Sequence, residues 1–271
     1  MKTSPTGFQI TFILFAIAVG AMLATRPLAS AIGLPDVHFN ALGHLIVVPL
    51  QLALVFGIPS LRKLVLEGYR HAFPPSARME AAGVVALKLA MTFGIWGLVA
   101  LWGMHVMQGS TDIRAYGFQV DRKVWDAYYF STWGLVSAAY AITLGPLMEE
   151  MLYRGVLYRL WERQWGWIAG TLLSSIVFSI IHPQNLIQTF LSAILYACLY
   201  RRTGSLWATT LCHATYNFLV AWPLLGHVLI LKPADATTSL APWIPNLVCL
   251  AVGIVGFVLY VGLAARDPVR R

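Results

Sequence analysis

Charged side chains are scarce in this 271-residue sequence, and their scarcity excludes most soluble folds. Only 11% of the residues are Asp, Glu, Lys or Arg, and 58% are hydrophobic, whereas about a quarter of an average soluble domain is charged. The net charge of +8 would suit a nucleic-acid partner, but the basic residues form short clusters between apolar runs and no basic face. The composition therefore indicates a protein whose solvent is largely lipid.

Cysteine is also rare, and its placement excludes further classes. The three cysteines, Cys198, Cys212 and Cys249, lie inside apolar stretches. An odd number at such positions forms neither a disulfide framework nor a cluster with metal-ligand spacing. The chain also lacks the HExxH pattern, in which one helix face supplies two zinc-binding histidines and a base.

Long apolar runs are abundant. A helix needs about 20 predominantly apolar residues to cross the hydrocarbon core of a membrane. Eight candidate spans cover approximately residues 8–25, 41–58, 80–104, 131–152, 167–182, 186–200, 206–226 and 243–264. The sequence therefore predicts an all-α, polytopic membrane bundle of about eight transmembrane helices.

The distribution of basic residues supports this topology. With a cytoplasmic N-terminus, the inner segments hold thirteen of the 19 Lys and Arg residues and the outer segments hold five. This asymmetry follows the positive-inside rule and predicts that both termini are cytoplasmic. Lys88 alone falls inside a span, and we expect it to extend along the helix to the membrane surface.

Two acidic residues, Glu149 and Glu150, follow eighteen uncharged residues, 131–148, in a predicted span. Ionisable residues inside spans are costly and usually functional. Arg154 lies four residues after Glu150 on the same helix face, so the two can form an ion pair. Glu149 is rotated by about 100° and faces elsewhere. The alternative is that 149–154 begins the inner loop and both glutamates are interfacial.

Two histidines lie in later apolar helices. Phe178 and His182 are four residues apart on one helix face, and His213 and Asn217 are four apart on another. A lone histidine in an apolar helix is more often a buried core group than a ligand. At a rise of about 1.5 Å per residue, however, Glu149 and His182 lie about 21 and 22 Å from the inner helix ends. His213 and Asn217 lie about 12 and 18 Å from theirs, which favours one shared site.

These residues fall in three motifs that resemble those of a known family. The segment 149–154 looks like the EExxxR motif of the type II CAAX prenyl protease and bacteriocin-processing (CPBP) intramembrane proteases. The segment 178–182 resembles the FxxxH motif of this family, and 213–217 resembles its HxxxN motif. The motifs occur in order in successive apolar helices and span about a quarter of the chain.

The resemblance implies proteolysis at the membrane. Carried over by position, Glu149 would activate a water molecule with help from His182, and His213 and Asn217 would stabilise the oxyanion. Amide hydrolysis needs such a base and such donors. The supporting residues would be Glu150, Arg154 and Phe178.

The metal requirement is a separate question. Glu149, His182 and His213 also make up the ligand set of a catalytic zinc site with an open position for water. The family that the motifs resemble has been described both as metalloproteases and as glutamic-type proteases. We expect metal-free glutamate catalysis and assign no certain cofactor, with zinc as the alternative.

The whole chain, 1–271, is expected to form one membrane domain. Its parts would be N-terminal spans and amphipathic segments (1–128), a catalytic core (129–226), and an outer loop with the last span (227–271). Residues 59–79 suit a helix on the inner membrane surface, and 110–128 suit an outer loop or short amphipathic helix. The first apolar run resembles a signal peptide, but its length favours a retained span.

The expected activity is hydrolysis of a peptide bond near the end of a membrane-associated or lipidated protein or peptide. The alternatives are a non-proteolytic immunity or scaffold member of the same family, and a proton-coupled transporter. Such transporters often have two related halves, which the sequence does not show. The expected location is a bacterial inner membrane, and the expected partners are lipid and a membrane-anchored substrate, with no nucleic acid.

Overall fold

The computed structural model describes residues 6–31, 39–106, 132–182, 185–221 and 243–266, and these residues are almost entirely helical. A π-helix, Met151–Tyr158, lies between the sixth and seventh α-helices. The described ranges contain no strand, so the all-α prediction is confirmed. The α-helices are α1 Gly7–Ala31, α2 Phe39–Gly57, α3 Pro59–Arg70, α4 Pro75–Val106, α5 Thr132–Ile142, α6 Leu144–Glu150, α7 Arg159–Ile180, α8 Leu186–Thr203, α9 Leu206–Ala221 and α10 Ile244–Arg266.

The described part of each predicted span is largely helical. Within the described ranges, three helical stretches are long and apolar enough to cross a membrane by themselves: Gly7–Thr25, Pro75–Leu98 and Ile244–Arg266. The pair Ile46–Gly57 and Pro59–Arg70 bends by 99° and is a fourth candidate by length and composition only if the two helices count as one span. A bundle of apolar helices is confirmed, and the number eight stays a prediction. The segments 110–128 and 227–242 lie outside the described residues.

The bend before α3 places an amphipathic helix against the rest of the protein. Pro59 stands at its first turn, where its missing N–H costs no hydrogen bond. Leu61, Leu64 and Val65 are buried in a cluster shared with the π-helix. The predicted amphipathic helix in 59–79 therefore forms, and its apolar face packs on protein.

A break in the helix path precedes the predicted glutamate pair. Thr143 separates α5 from α6, and Pro146 has no N–H to donate to the carbonyl four residues earlier. The chain then enters the π-helix directly after Glu150. In α7, Gly166 adopts φ 83°, a left-handed conformation that glycine tolerates at little cost.

Helix α8 is enclosed by its neighbours. Residues 192–200 of α8 are all buried, because α7, α9, α4, α10 and the π-helix pack around it. Along α4 and α10 the two backbones approach closely at glycines: a Cβ atom on Gly94 would lie 2.4 Å from the Leu250 Cα. Small residues at such contacts let membrane helices approach.

Candidate active site

The centre of the site is a buried ion pair between α6 and the π-helix. The Arg154 Nη1 donates a hydrogen bond to Glu150 Oε1 at 3.1 Å, and the Arg154 Nη2 donates to the Ala193 carbonyl of α8 at 3.0 Å. The His213 Nδ1, from α9, lies 3.0 Å from the same Glu150 oxygen. Glu150 is therefore committed to a structural network that joins α6 and the π-helix to α8 and α9.

Glu149 points away from this network, as its helical rotation predicts. Its carboxylate Oε1 lies 3.8 Å from the His182 Nε2, and its Oε2 lies 3.8 Å from the His213 Nε2. These separations exceed hydrogen-bond distance. The Glu149 side chain is 22% exposed, whereas Glu150 is fully buried. Of the two glutamates, Glu149 is the one accessible to a substrate or water.

The hydrogen bond at the Nδ1 of each imidazole determines whether its Nε2, which faces Glu149, donates or accepts. The His182 Nδ1 lies 2.8 Å from the Phe178 carbonyl, which only accepts, so this nitrogen carries a hydrogen. The His213 Nδ1 faces the Glu150 carboxylate in the same way. In the neutral imidazoles both Nε2 atoms are therefore acceptors directed towards Glu149.

Aromatic rings hold these groups in place. The Phe178 ring lies 4.7 Å from the His182 ring and 5.0 Å from the Tyr153 ring. The Arg154 guanidinium lies 5.0 Å from the centre of the Phe178 ring, a favourable cation–π geometry. On the other side, the Tyr196 ring stacks on His213 at 4.8 Å. Phe178 thus supports the site through ring contacts.

Asn217 contacts the helix that precedes the glutamates. Its Nδ2 donates a hydrogen bond to the Ala141 carbonyl at 2.8 Å. Ala141 lies near the end of α5, just before the break at Thr143. One amide hydrogen of Asn217 is therefore used to fix this helix end beside the site, and the amide nitrogen carries a second hydrogen.

The structure thus brings most of the predicted residues into one network. Glu149, His182 and His213 converge, and Glu150 pairs with Arg154 as expected. Asn217, four residues after His213, donates a hydrogen bond to α5. The chemical roles assigned to all of these residues stay predictions.

Sequence reasoning misjudged Lys88. Its side chain is only 3% exposed, so the expectation that it reaches the membrane surface is wrong. Its ammonium group contacts the Tyr196 hydroxyl and lies 4.1 and 3.5 Å from the Tyr196 and Tyr216 ring centres. The sequence did mark Lys88 as a functional candidate, because it is the only basic residue placed inside a predicted span and such charges are usually functional.

Tyr69 was also missed. Its hydroxyl lies 3.3 Å from the Leu147 carbonyl of α6 and 3.2 Å from the Thr210 hydroxyl of α9. It therefore connects α3 to the two helices that carry Glu149 and His213. No sequence pattern identified it, since this contact depends on the bend between α2 and α3.

The geometry also bears on metal binding. Zinc ligands lie about 2.0–2.2 Å from the ion, which places neighbouring ligand atoms closer together than the 3.8 Å between Glu149 and either imidazole. Among the residues that the structure describes, no three His, Cys, Asp or Glu side chains are arranged to hold a metal ion. Metal-free catalysis stays a prediction.

Comparison with known proteins supports the resemblance of the motifs. Residues 131–219 match the model of the Rce1-like family, described as type II CAAX prenyl endopeptidase Rce1-like. Residues 131–219 are therefore similar to the family that the three motifs resemble. A stretch of 80 residues, 28% of the chain, is 31% identical to "Putative membrane peptidase YdiL" of Bacillus subtilis (strain 168). That match covers 32% of the relative's length. No solved structure gives a significant match.

The family match and the geometry cover the same part of the chain. All seven candidate residues, from Glu149 to Asn217, lie within 131–219. Lys88 and Tyr69 lie outside that segment, in helices α4 and α3. The apolar helices and the family together identify an integral membrane protein.

Proposed function

We propose that this protein is an intramembrane endopeptidase that cleaves a peptide bond near the end of a membrane-associated or lipidated protein or peptide. The observation that carries the proposal is the position of Glu149 between two imidazole Nε2 atoms, each at 3.8 Å. A water molecule about 2.8 Å from both Glu149 and His182 fits beside such a pair. This is the arrangement that a general base needs for hydrolysis.

In the proposed reaction, the water donates one hydrogen to the Glu149 carboxylate and the other to the His182 Nε2. Glu149 removes its proton as the water oxygen attacks the scissile carbonyl carbon. The tetrahedral intermediate then collapses, the C–N bond breaks, and the proton on Glu149 passes to the leaving amine. Glu149 is thereby returned to its carboxylate form for the next turnover.

Stabilisation of the oxyanion is assigned to His213 and Asn217. His213 can donate from its Nε2 only when both ring nitrogens are protonated, because its Nδ1 hydrogen is used on Glu150. The Glu150 carboxylate beside it stabilises such a cation. Asn217 would contribute the amide hydrogen that is not donated to Ala141. One oxyanion donor is typically worth about 10²–10³ in kcat.

We infer the substrate class from the setting of the site. The site lies among apolar helices, so a substrate must bring its cleavable bond to the membrane. The candidates are a prenylated C-terminal tail, a bacteriocin leader, and a C-terminal sorting segment with its own membrane helix. The inner membrane, with both termini cytoplasmic, is the proposed location.

The test compares protein C-termini in cells that produce the wild type, Glu149→Gln or Glu67→Gln. Glu67 lies in α3 outside the site, so the last variant is a matched control. We expect new C-termini with the wild type and with Glu67→Gln, and none above background with Glu149→Gln at equal expression. General-base loss typically costs about 10²–10⁴ in rate.

Two outcomes would overturn the proposal. The first is identical C-termini with the wild type and Glu149→Gln, which would favour a non-proteolytic family member. The second is proton-coupled uptake by purified protein in liposomes without cleavage of any peptide, which would favour a transporter.

A further inference from the structure

Lys88 is a charged residue of the protein interior that the proposed reaction does not use. It lies in α4 and is 3% exposed. Its ammonium group contacts the Tyr196 hydroxyl and lies over the rings of Tyr196 and Tyr216. A buried cation in a membrane helix is expensive, so a residue without a role at this position would be unfavourable.

Within the part of the chain that the structure describes, no ion pair accounts for the position of Lys88. Among the described residues, the ion pairs of Glu149 and Glu150 involve His182, His213 and Arg154. The remaining described ion pairs of α4 and α8 lie at their other ends, as Glu80 with Arg202 illustrates. Lys88 is instead accommodated by aromatic faces and a phenol oxygen, which bind cations well.

The contacts of Lys88 lead to the candidate active site through one ring. The Tyr196 ring stacks on His213 with its centre 4.8 Å away and an interplanar angle of 26°. His213 in turn places its Nε2 3.8 Å from Glu149. The orientation of the His213 ring therefore depends on the Tyr196 ring, and Tyr196 is held at its hydroxyl by Lys88.

The second aromatic neighbour is itself fixed. The Tyr216 hydroxyl lies 2.8 Å from the Thr92 hydroxyl, and the Gln188 amide donates to it at 2.7 Å. These hydrogen bonds fix the Tyr216 ring, and the Lys88 ammonium lies 3.5 Å from the centre of that ring. The fixed ring holds the ammonium group next to Tyr196.

We propose that Lys88 is a positioning residue, which holds Tyr196 flat against His213 so that the His213 Nε2 stays directed at Glu149. The inference rests on the proposed function, and it adds a residue from outside the family-matched segment. A small misplacement of a catalytic group can lower a rate by about 100-fold. Lys88 therefore affects turnover and leaves substrate binding largely unchanged.

The competing explanation is that Lys88 only stabilises the packing of α4 against α8. The chain offers a matched control, because Glu80 of α4 and Arg202 of α8 join the same two helices at another level. If stabilising this packing were the only role, Arg202→Met and Lys88→Met would have similar effects on activity.

The first experiment uses proteoliposomes with an internally quenched peptide that ends in a farnesylated CAAX sequence, or with the cleavage sequence found in cells. We expect Lys88→Met and Tyr196→Phe each to lower kcat by about 10- to 100-fold, with KM within about twofold. The double variant should be no worse than either single variant, because coupled residues are non-additive. Lys88→Arg should recover most of the activity, and Arg202→Met should retain it.

The second experiment needs no cleavage assay. Labelled histidine in purified protein reports the His213 ring by NMR, and the stacked Tyr196 ring shifts its signals. Lys88→Met should move the His213 signals, whereas Arg202→Met should not. This measurement tests the positioning role even if the wild type cleaves no peptide.

Unchanged His213 signals in Lys88→Met, or equal losses of kcat in Lys88→Met and Arg202→Met, would overturn the inference. Should Lys88→Met fail to fold, Tyr196→Phe decides by the same measurements. An unchanged kcat and unchanged His213 signals in that variant would equally overturn it.

Discussion

The Arg154 guanidinium donates a hydrogen bond to Glu150 over 3.1 Å, and neither side chain is more than 1% exposed. The same guanidinium donates to the Ala193 carbonyl, so the ion pair also joins the π-helix to α8. Removing one partner of a buried ion pair leaves the other charge buried without a partner. This destabilises the folded state far more than replacing both partners by apolar residues does. The pair is therefore a stability element directly beside the proposed base.

Arg154→Leu should accordingly lower the free energy of unfolding by about 3–5 kcal/mol. Glu149→Gln should change it by less than about 1 kcal/mol, because Glu149 is partly exposed. Reversible unfolding in mixed micelles measures both values. Equal stability of the two variants would contradict the division of roles between the adjacent glutamates.

The pairing of Glu150 with Arg154 was predictable because it depends only on helical spacing. Residues four apart share a face in an α-helix, and the actual π-helix, Met151–Tyr158, keeps them in contact. The π-helix itself has no signature in the residues. Such segments are rare and often occur at functional sites. Because no residue pattern marks them, only a structure shows where they are.

The positions of Lys88 and Asn217 were not predictable, because each depends on contacts between helices. Burial of Lys88 requires that α4 presents it to Tyr196 and Tyr216 of α8 and α9. Asn217 donates to the Ala141 carbonyl just before the break between α5 and α6. A similar depth in the membrane indicated that the residues could meet, but not which atoms would pair.

Exhaustive chelation tests the metal requirement. We expect purified protein dialysed against a strong chelator to retain its peptidase activity, because Glu149 and His182 already supply a base and a second acceptor for one water molecule. Activity and elemental analysis should be measured on the same sample. Stoichiometric zinc, with activity lost on its removal and restored on its return, would contradict metal-free glutamate catalysis.

The Glu67–Arg159 pair between α3 and α7 gives a pH dependence. The hydrogen bond from Arg159, at 2.9 Å, holds the pKa of Glu67 below its usual range. A lowered pKa stabilises the folded state above the unfolded pKa, and this stabilisation is lost as the pH falls through the folded pKa. Since Glu67 is 35% exposed, solvent screening limits the effect to less than about 1 kcal/mol.

Glu67→Gln should therefore be less stable than the wild type at pH 7, and the difference should disappear as the pH falls below the lowered pKa of Glu67. Unfolding by denaturant at a series of pH values measures it. Lys63→Gln is the control, because the Lys63 ammonium is exposed and 3.9 Å from Glu67. A pH-independent difference for Glu67→Gln would show that the ionised carboxylate is not the stabilising group.

Helix packing between α4 and α10 can be tested with two glycines on the same helix. A Cβ atom at Gly94 would lie 2.4 Å from the Leu250 Cα, whereas a Cβ at Gly83 meets nothing within 4 Å. Alanine improves helix propensity over glycine by about 1 kcal/mol at either position. Gly83→Ala should therefore keep or raise the unfolding temperature. Gly94→Ala should lower it, because overpacking typically costs about 1–3 kcal/mol and here forces two backbones apart. Thermal unfolding of both variants in the same detergent makes the comparison, and a Gly94→Ala protein as stable as Gly83→Ala would contradict the close approach of α4 and α10.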